Sequence, residues 1–254
     1  MLSKLLKYDL RANLKIYLFV WPALITLALI DRLSLAIEVE GTLGTIFVIM
    51  TTSLFILALI AACVLAVIIS IVRFYSGLLR NEGYLMFTLP VKSWQLILSK
   101  FLTALLTLAV TIVLSIFCAI FVFKGIDGLL FFLSELFSAS DMPTGITLVL
   151  TLLICGVSLC LSILQIYLAC SIGHLFRRRR ILFSILFYYA ISIAVEFFTL
   201  VLTVGIIGTG VIDNLFWSGG ENLFFAVVLV AEAALGCVYF FVSERLLRRH
   251  LNLE

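Results

Sequence analysis

Two carboxylates, Glu196 and Glu232, lie deep inside long apolar runs of this sequence. A charge at such a depth in hydrocarbon is costly, so each group is expected to be protonated, paired or placed along a wet cavity. Ser192 and Thr199 lie within one helical turn of Glu196 and predict local hydrogen bonding. Only small residues surround Glu232, so its partner is expected on another helix or on a substrate. A structural role and a role in moving a proton or substrate both remain open for Glu232.

Two other motifs resemble signatures of unrelated protein classes. The run "GHLFRRRR" at 173–180 contains four consecutive arginines, but a single short segment provides no groove or stacking platform, so no nucleic-acid partner is expected. The run is more typical of a topology signal that contacts anionic membrane lipids. The glycines of "GIIGTGVIDNLFWSGGEN" at 205–222 follow no predicted strand and therefore do not indicate a dinucleotide site.

No nucleophile, base and orienting group occur in a recognisable arrangement, so the sequence predicts no catalytic site. The six cysteines lie inside apolar runs, where they behave as small buried hydrophobes. Their spacing predicts neither a disulfide framework nor a metal site, and no cofactor is expected in this chain.

The composition predicts an integral membrane protein. Hydrophobic residues make up 64% of the chain and charged residues 12%, whereas a soluble domain is about half apolar and a quarter charged. A helix needs about 20 apolar residues to cross the hydrocarbon layer. The sequence therefore predicts one all-α transmembrane domain over 1–254, with spans at about 16–37, 43–72, 101–123, 144–172, 181–206 and 222–243.

The basic residues predict the orientation. With the N-terminus in the cytoplasm, Arg32 and Lys124 are the only outer members of the 17 lysines and arginines, and an excess of positive charge marks the cytoplasmic side. A multi-pass protein of the cell membrane with both termini inside is therefore predicted. The outer loops are acidic, and 127–138 is predicted as an amphipathic helix on the outer surface.

The first fifteen residues, "MLSKLLKYDLRANLK", predict an amphipathic helix. Helical periodicity places leucines on one side and lysines on the other, which favours an interfacial helix over 1–15 that leads into the first span. Asp9 and Asn13 fall within the apolar arc and do not fit this pattern. A basic topology signal with incidental helicity is the alternative.

The segment between the second and third spans is apolar for a cytoplasmic loop. Residues 83–89 predict about two helical turns that end at Pro90. An exposed apolar patch of this kind marks either a protein partner or a contact with lipid headgroups. The sequence contains no GxxxxGK[ST] phosphate loop, so an ATPase, if one drives this protein, is expected on another subunit, and the patch is suited to contact it.

Over nearly its whole length the chain resembles the permease subunits of ABC-2 type ATP-binding cassette exporters of Gram-positive bacteria. The most specific part of this likeness is "NEGYLMFTLPVKSWQLILSK" at 81–100, together with the six spans and the N-terminal helix. Exporters of amphipathic peptides, such as phenol-soluble modulins, look most similar.

The resemblance implies that 83–89 form a coupling helix, a short cytoplasmic helix that inserts into a separate ABC ATPase subunit carrying ATP and Mg. The implied coupling residues are Glu82, Gly83, Tyr84, Leu85, Met86, Phe87, Leu89 and Pro90. A second, smaller cytoplasmic contact is implied at His174, Phe176, Arg177 and Arg178. The likeness also implies a second permease copy or paralogue, and a re-entrant element at 205–222 that gates the outer exit.

The expected function is export of an amphiphilic substrate, such as an amphipathic or antimicrobial peptide, through a membrane path. Two alternatives remain. A proton-coupled secondary transporter or channel would use Glu196 or Glu232, although inverted repeats and broken helices are not evident. A non-transporting membrane scaffold would use the apolar patch at 83–89 only to recruit a partner.

Overall fold

The computed structural model describes residues 2–37, 42–79, 93–138, 142–176, 179–208 and 221–250. These residues form six long helices. The helices are α1 (Leu2–Ala36), α2 (Thr42–Phe74), α3 (Ser93–Ser138), α4 (Met142–His174), α5 (Arg180–Gly208) and α6 (Glu221–His250). A π-helical turn over Tyr75–Leu79 continues α2.

All six helices of the described residues are long and apolar enough to cross a membrane, which confirms the predicted number of spans. The qualifying stretches are Ser3–Ala36, Thr42–Leu78, Trp94–Gly125, Val149–His174, Arg180–Val201 and Phe225–Leu247. The second stretch continues beyond the predicted end at residue 72 and, at 37 residues, is longer than the bilayer requires.

The N-terminal region is one helix where the sequence predicted two. α1 runs from Leu2 to Ala36 and contains Pro22, so an interfacial helix over 1–15 is not a separate element. No strong helix breaker lies near residues 15 and 16. The face of α1 that carries Asp9, Asn13 and Tyr17 is directed into the protein.

The described helices form two compact units. The first contains α1, α2 up to Val72, and α3 from Leu98. Its apolar core joins all three helices through Leu24, Ala28, Phe55, Ala62, Cys118 and Val122. Small residues such as Ala28 and Ala62 at these contacts allow helices to approach closely, as is common between membrane helices.

A glycine breaks α3 inside the first unit. Gly125 has φ 72° and ψ −164°, a backbone region that is essentially restricted to glycine. Because the helix is interrupted here, the carbonyl groups just before Gly125 have no backbone N–H donor from the next helical turn. Arg32 of α1 donates from Nη1 to the carbonyl oxygen of Val122 at 3.3 Å, so a cation caps the carboxyl end of this helical segment. Residues 127–138, predicted to be helical, form the remainder of α3.

The second unit contains the π-helical turn and the first residues of α3. It also contains the whole of α4, α5 and α6. Within it, α4 packs against both α5 and α6. The buried side of α4 includes Ile163, Tyr167 and Cys170. None of the most apolar stretch of α5 is buried in the protein, so this helix offers its apolar surface to lipid or to another chain.

The predicted re-entrant element at 205–222 lies largely outside the described residues. α5 ends at Gly208 and α6 begins at Glu221. The expectation of an outer gate at this position therefore stays a prediction.

Candidate functional site

The predicted coupling segment, 82–90, lies outside the described residues, but the structure describes the elements on either side of it. The preceding element is the π-helical turn Tyr75–Leu79, and the following one is α3, which begins at Ser93. π-helical turns are rare and often occur at functional sites, because they shift the side chains that follow out of the α-helical register.

Aromatic contacts fix the base of this turn on α4. The rings of Phe74 and Tyr167 stack with centroids 3.9 Å apart and an interplanar angle of 11°. Both side chains are buried, as is Leu78 one turn later. Stacked rings in a buried site stabilise the folded state by more than the burial of their apolar area alone. The end of α2 is therefore held firmly by α4, close to the point where the coupling segment begins in sequence.

The same helix end carries the second predicted contact. His174 is the last residue of α4, and its imidazole meets the ring of Tyr75 edge to face, with centroids 6.1 Å apart. The His174 Nδ1 atom is buried and has no hydrogen-bond partner in the described structure. The structure thus brings together the residues that lead into the two predicted contacts, although the sequence separates them by about a hundred positions.

Phe176 is partly exposed beyond the end of α4 and stacks on two rings of α5. The centroids of Phe176 and Phe183 are 4.2 Å apart, and those of Phe176 and Phe187 are 5.8 Å apart. Arg179 has φ 61°, an uncommon conformation for a side chain of this size. Arg177 and Arg178 lie outside the described residues.

A glycine sets the spacing of α4 and α5 at this end. A Cβ atom on Gly173 would lie 2.0 Å from Ser184 Oγ and 2.6 Å from the Ser184 backbone nitrogen. Because the second of these atoms belongs to the backbone, no rotamer change would relieve the contact. Only glycine allows the two helices to approach this closely.

Glu232 has its partner on another helix. Ser158 Oγ of α4 lies 3.1 Å from Glu232 Oε1 and 3.0 Å from Oε2. The contact crosses between α4 and α6, which pack against each other. One hydroxyl donates a single proton and cannot satisfy a carboxylate fully. This geometry is compatible with both roles that the sequence left open.

The two hydroxyls that the sequence places near Glu196, those of Ser192 and Thr199, donate to backbone carbonyl oxygens. Thr199 Oγ1 donates to the backbone carbonyl oxygen of Glu196 at 2.8 Å, and Ser192 Oγ donates to the carbonyl oxygen of Tyr188 at 3.0 Å. Hydroxyls on helices commonly bond to carbonyls one turn back, which here diverts them from the carboxylate. Ser192 instead accepts a bond of 2.6 Å from Gln165 Nε2 of α4. Glu196 itself is exposed on α5.

Sequence reasoning missed a polar contact between α1 and α3. Asp9 forms an ion pair with Lys100 and accepts a hydrogen bond from Ser99 Oγ at 3.1 Å. Further along, Trp21 Nε1 donates to Thr111 Oγ1 at 3.1 Å. Between these contacts the helices bury Asn13, Tyr17, Thr103 and Thr107. We call this set the α1–α3 polar seam.

The signal for the seam was present in the sequence as a spacing of four residues. Asp9, Asn13, Tyr17 and Trp21 recur at that interval on α1, and Ser99, Thr103, Thr107 and Thr111 do so on α3. Such a spacing places side chains on one face of a helix. Two polar stripes of equal length indicate a shared interface.

Among the described residues, no group of three or more His, Cys, Asp or Glu side chains is placed to hold a metal ion. Comparisons with protein-family models, curated proteins and solved structures give no match to this chain.

Proposed function

We propose that this chain is the transmembrane permease subunit of an ATP-driven exporter of the ABC-2 type. The observation that carries the proposal is the aromatic and apolar coupling segment, 82–90, placed between two long membrane helices. A segment of this composition between spans is suited to insert into a groove of a partner, because buried aromatic residues dominate binding energy at interfaces.

Support comes from the packing at the end of α2. The contacts of Phe74 with Tyr167 and of Tyr75 with His174 join the approaches to the two predicted ATPase contacts into one compact unit. A subunit that pushes or pulls on 82–90 would therefore act on α4 as well as on α2. This is the mechanical requirement for coupling ATP hydrolysis to a movement of membrane helices.

In the proposed mechanism, ATP and Mg bind to the partner ATPase subunits, and their closure displaces residues 83–89. The displacement passes along α2 and α3, which adjoin the coupling segment in the chain, and alternates access to a path shared with a second permease copy or paralogue. An apolar path with few fixed charges is suited to amphiphilic substrates, and amphipathic peptides are the class that the proposal names.

The proposal is tested by co-expression with the ABC ATPase encoded nearest to this gene and affinity purification in mild detergent. Replacing Tyr84, Phe87 and Leu89 together by Asp is expected to abolish the complex, because three charges would be placed in an apolar groove. The matched control keeps the apolar character: Tyr84→Phe, Phe87→Tyr and Leu89→Met. Unchanged complex formation by the Asp variant would refute the proposal.

The Glu232–Ser158 contact supports a second candidate, a proton-coupled transporter. A carboxylate inside a span with one hydroxyl donor is suited to exchange a proton. Transport into vesicles of the purified chain, driven by a proton gradient without ATP and lost in Glu232→Gln, would favour this candidate. The exporter proposal predicts no such transport.

A further inference from the structure

Asp31 is a buried acid in the first unit that neither function above uses. It lies near the end of α1, and only 1% of its surface is exposed. Thr52 Oγ1 of α2 donates to Asp31 Oδ1 at 3.1 Å. The other carboxylate oxygen, Oδ2, is buried and has no hydrogen-bond partner.

Other oxygen atoms surround the same carboxylate. Ser34 Oγ lies 3.4 Å from Asp31 Oδ1 and 2.8 Å from Thr51 Oγ1 of α2. The Ser34 and Thr51 hydroxyls share a hydrogen bond in which either can be the donor, and each also lies within hydrogen-bond distance of a helix carbonyl oxygen, Ser34 of Asp31 at 2.7 Å and Thr51 of Val48 at 3.0 Å. A hydroxyl has one proton, so these acceptors compete with the Asp31 carboxylate for the protons of Ser34 and Thr51.

The charge of Asp31 is therefore poorly compensated by the protein. Among the described residues, no cation lies within ion-pair distance of its carboxylate. Arg32 follows it directly in the sequence but donates to the Val122 carbonyl oxygen of α3. A buried carboxylate with a single firm donor is strongly destabilising unless a positive charge or a proton occupies the site.

We propose that Asp31, Ser34, Thr51 and Thr52 form a binding site for one monovalent alkali cation. Carboxylate and hydroxyl oxygens are the ligands that hard cations prefer, and the cluster supplies them from two helices. A single carboxylate balances a single positive charge, whereas a divalent ion would leave net charge buried. The donor set lacks His and Cys, which distinguishes it from a transition-metal site. Bound sodium or potassium would join the ends of α1 and α2.

The test uses the full-length purified protein and sodium as the probe. Binding of radioactive sodium and the sodium dependence of the unfolding temperature are measured at constant ionic strength, with choline as the replacing cation. A ligand that binds only the folded state stabilises it in a saturable, concentration-dependent way. Asp31→Asn is expected to abolish sodium binding, and Thr52→Val to weaken it by about tenfold or more through loss of one ligand.

Ser53→Ala is the matched control. The Ser53 hydroxyl is adjacent in sequence to Thr52 but exposed, and it bonds to the Met50 carbonyl oxygen at 2.9 Å. This variant is expected to bind sodium like the unmodified protein. If Asp31→Asn fails to fold, Thr51→Val and Thr52→Val carry the test alone. Equal responses to sodium and choline, or sodium affinity unchanged in both threonine variants, would overturn the proposal.

Discussion

Gly125 is the residue at which backbone conformation matters most. Its φ of 72° and ψ of −164° belong to a region that side chains with a Cβ atom avoid. An added Cβ would also lie 2.6 Å from Arg32 Nη2. The guanidinium can move away, but that movement breaks its bond to the Val122 carbonyl oxygen.

We therefore expect Gly125→Ala to lower the free energy of unfolding by about 1–3 kcal/mol, the usual cost of a strained backbone residue. The measurement is SDS-induced unfolding of the purified protein, followed by circular dichroism. Gly156→Ala is the control, because a Cβ there meets nothing within 4 Å. It is expected to be neutral or stabilising by up to about 1 kcal/mol, since alanine favours helix. Equal losses in both variants would contradict the account of Gly125.

At the scale of elements, the α1–α3 polar seam shows how two apolar helices are placed in register. The side chains of Lys100 and Asp9 are only 9% and 13% exposed. Removing one member of a buried ion pair costs more than removing both, because the remaining charge loses its main compensation.

Asp9→Asn and Lys100→Met are each expected to destabilise the protein by about 3–5 kcal/mol. The double variant is expected to be less unstable than the sum of the two, with a coupling of about 0.5–3 kcal/mol. SDS-induced unfolding of the four proteins measures this cycle. Lys7→Met, which removes an exposed lysine of the same helix, should change stability by less than about 0.5 kcal/mol. Additive losses would argue against the pair.

The existence of the six helices was predictable, while the pairing of individual side chains between them was not. Bilayer thickness sets the length of an apolar run, so each span can be identified from its own residues alone. The pairing of Asp9 with Lys100 depends on which helices are neighbours. In the sequence alone, Asp9 is an exception to the amphipathic pattern of residues 1–15, and Lys100 is one of the basic residues that indicate the orientation. The π-helical turn after Phe74 was likewise not predicted, because it depends on tertiary packing. The break at Gly125 agrees with the predicted boundary between a span that ends at 123 and a helix over 127–138.

The candidate sites also include features that one segment of sequence predicts and contacts that only the fold shows. The composition of 82–90 predicts a contact surface without any structure, because apolar side chains in a cytoplasmic loop need an explanation of their own. The contact of Tyr75 with His174 joins two distant segments and could not be obtained from a single sequence. Near Glu196, backbone carbonyls compete with the carboxylate for the hydroxyl of Thr199, a competition that depends on side-chain rotamers and not on spacing alone.

For the whole molecule, the distribution of positive charge predicts that both termini and 82–90 face the cytoplasm. Phe87→Cys and Phe216→Cys, each in a chain with the six native cysteines replaced, are expected on opposite sides of the membrane. A membrane-impermeant thiol reagent should label residue 87 only in inside-out vesicles and residue 216 only in right-side-out vesicles. Labelling of both residues from one side would refute the proposed topology.

The claim that an external ATPase engages residues 82–90 is tested most directly by placing a photo-crosslinking amino acid at Phe87 in native membranes. The proposal predicts an adduct with a protein that contains a phosphate-binding loop, identified by mass spectrometry. The control position is Phe19, which is 76% exposed within α1 and is expected to react with lipid. If residue 87 yields only lipid adducts, as residue 19 does, the apolar segment rests in the headgroup layer and the exporter proposal is contradicted.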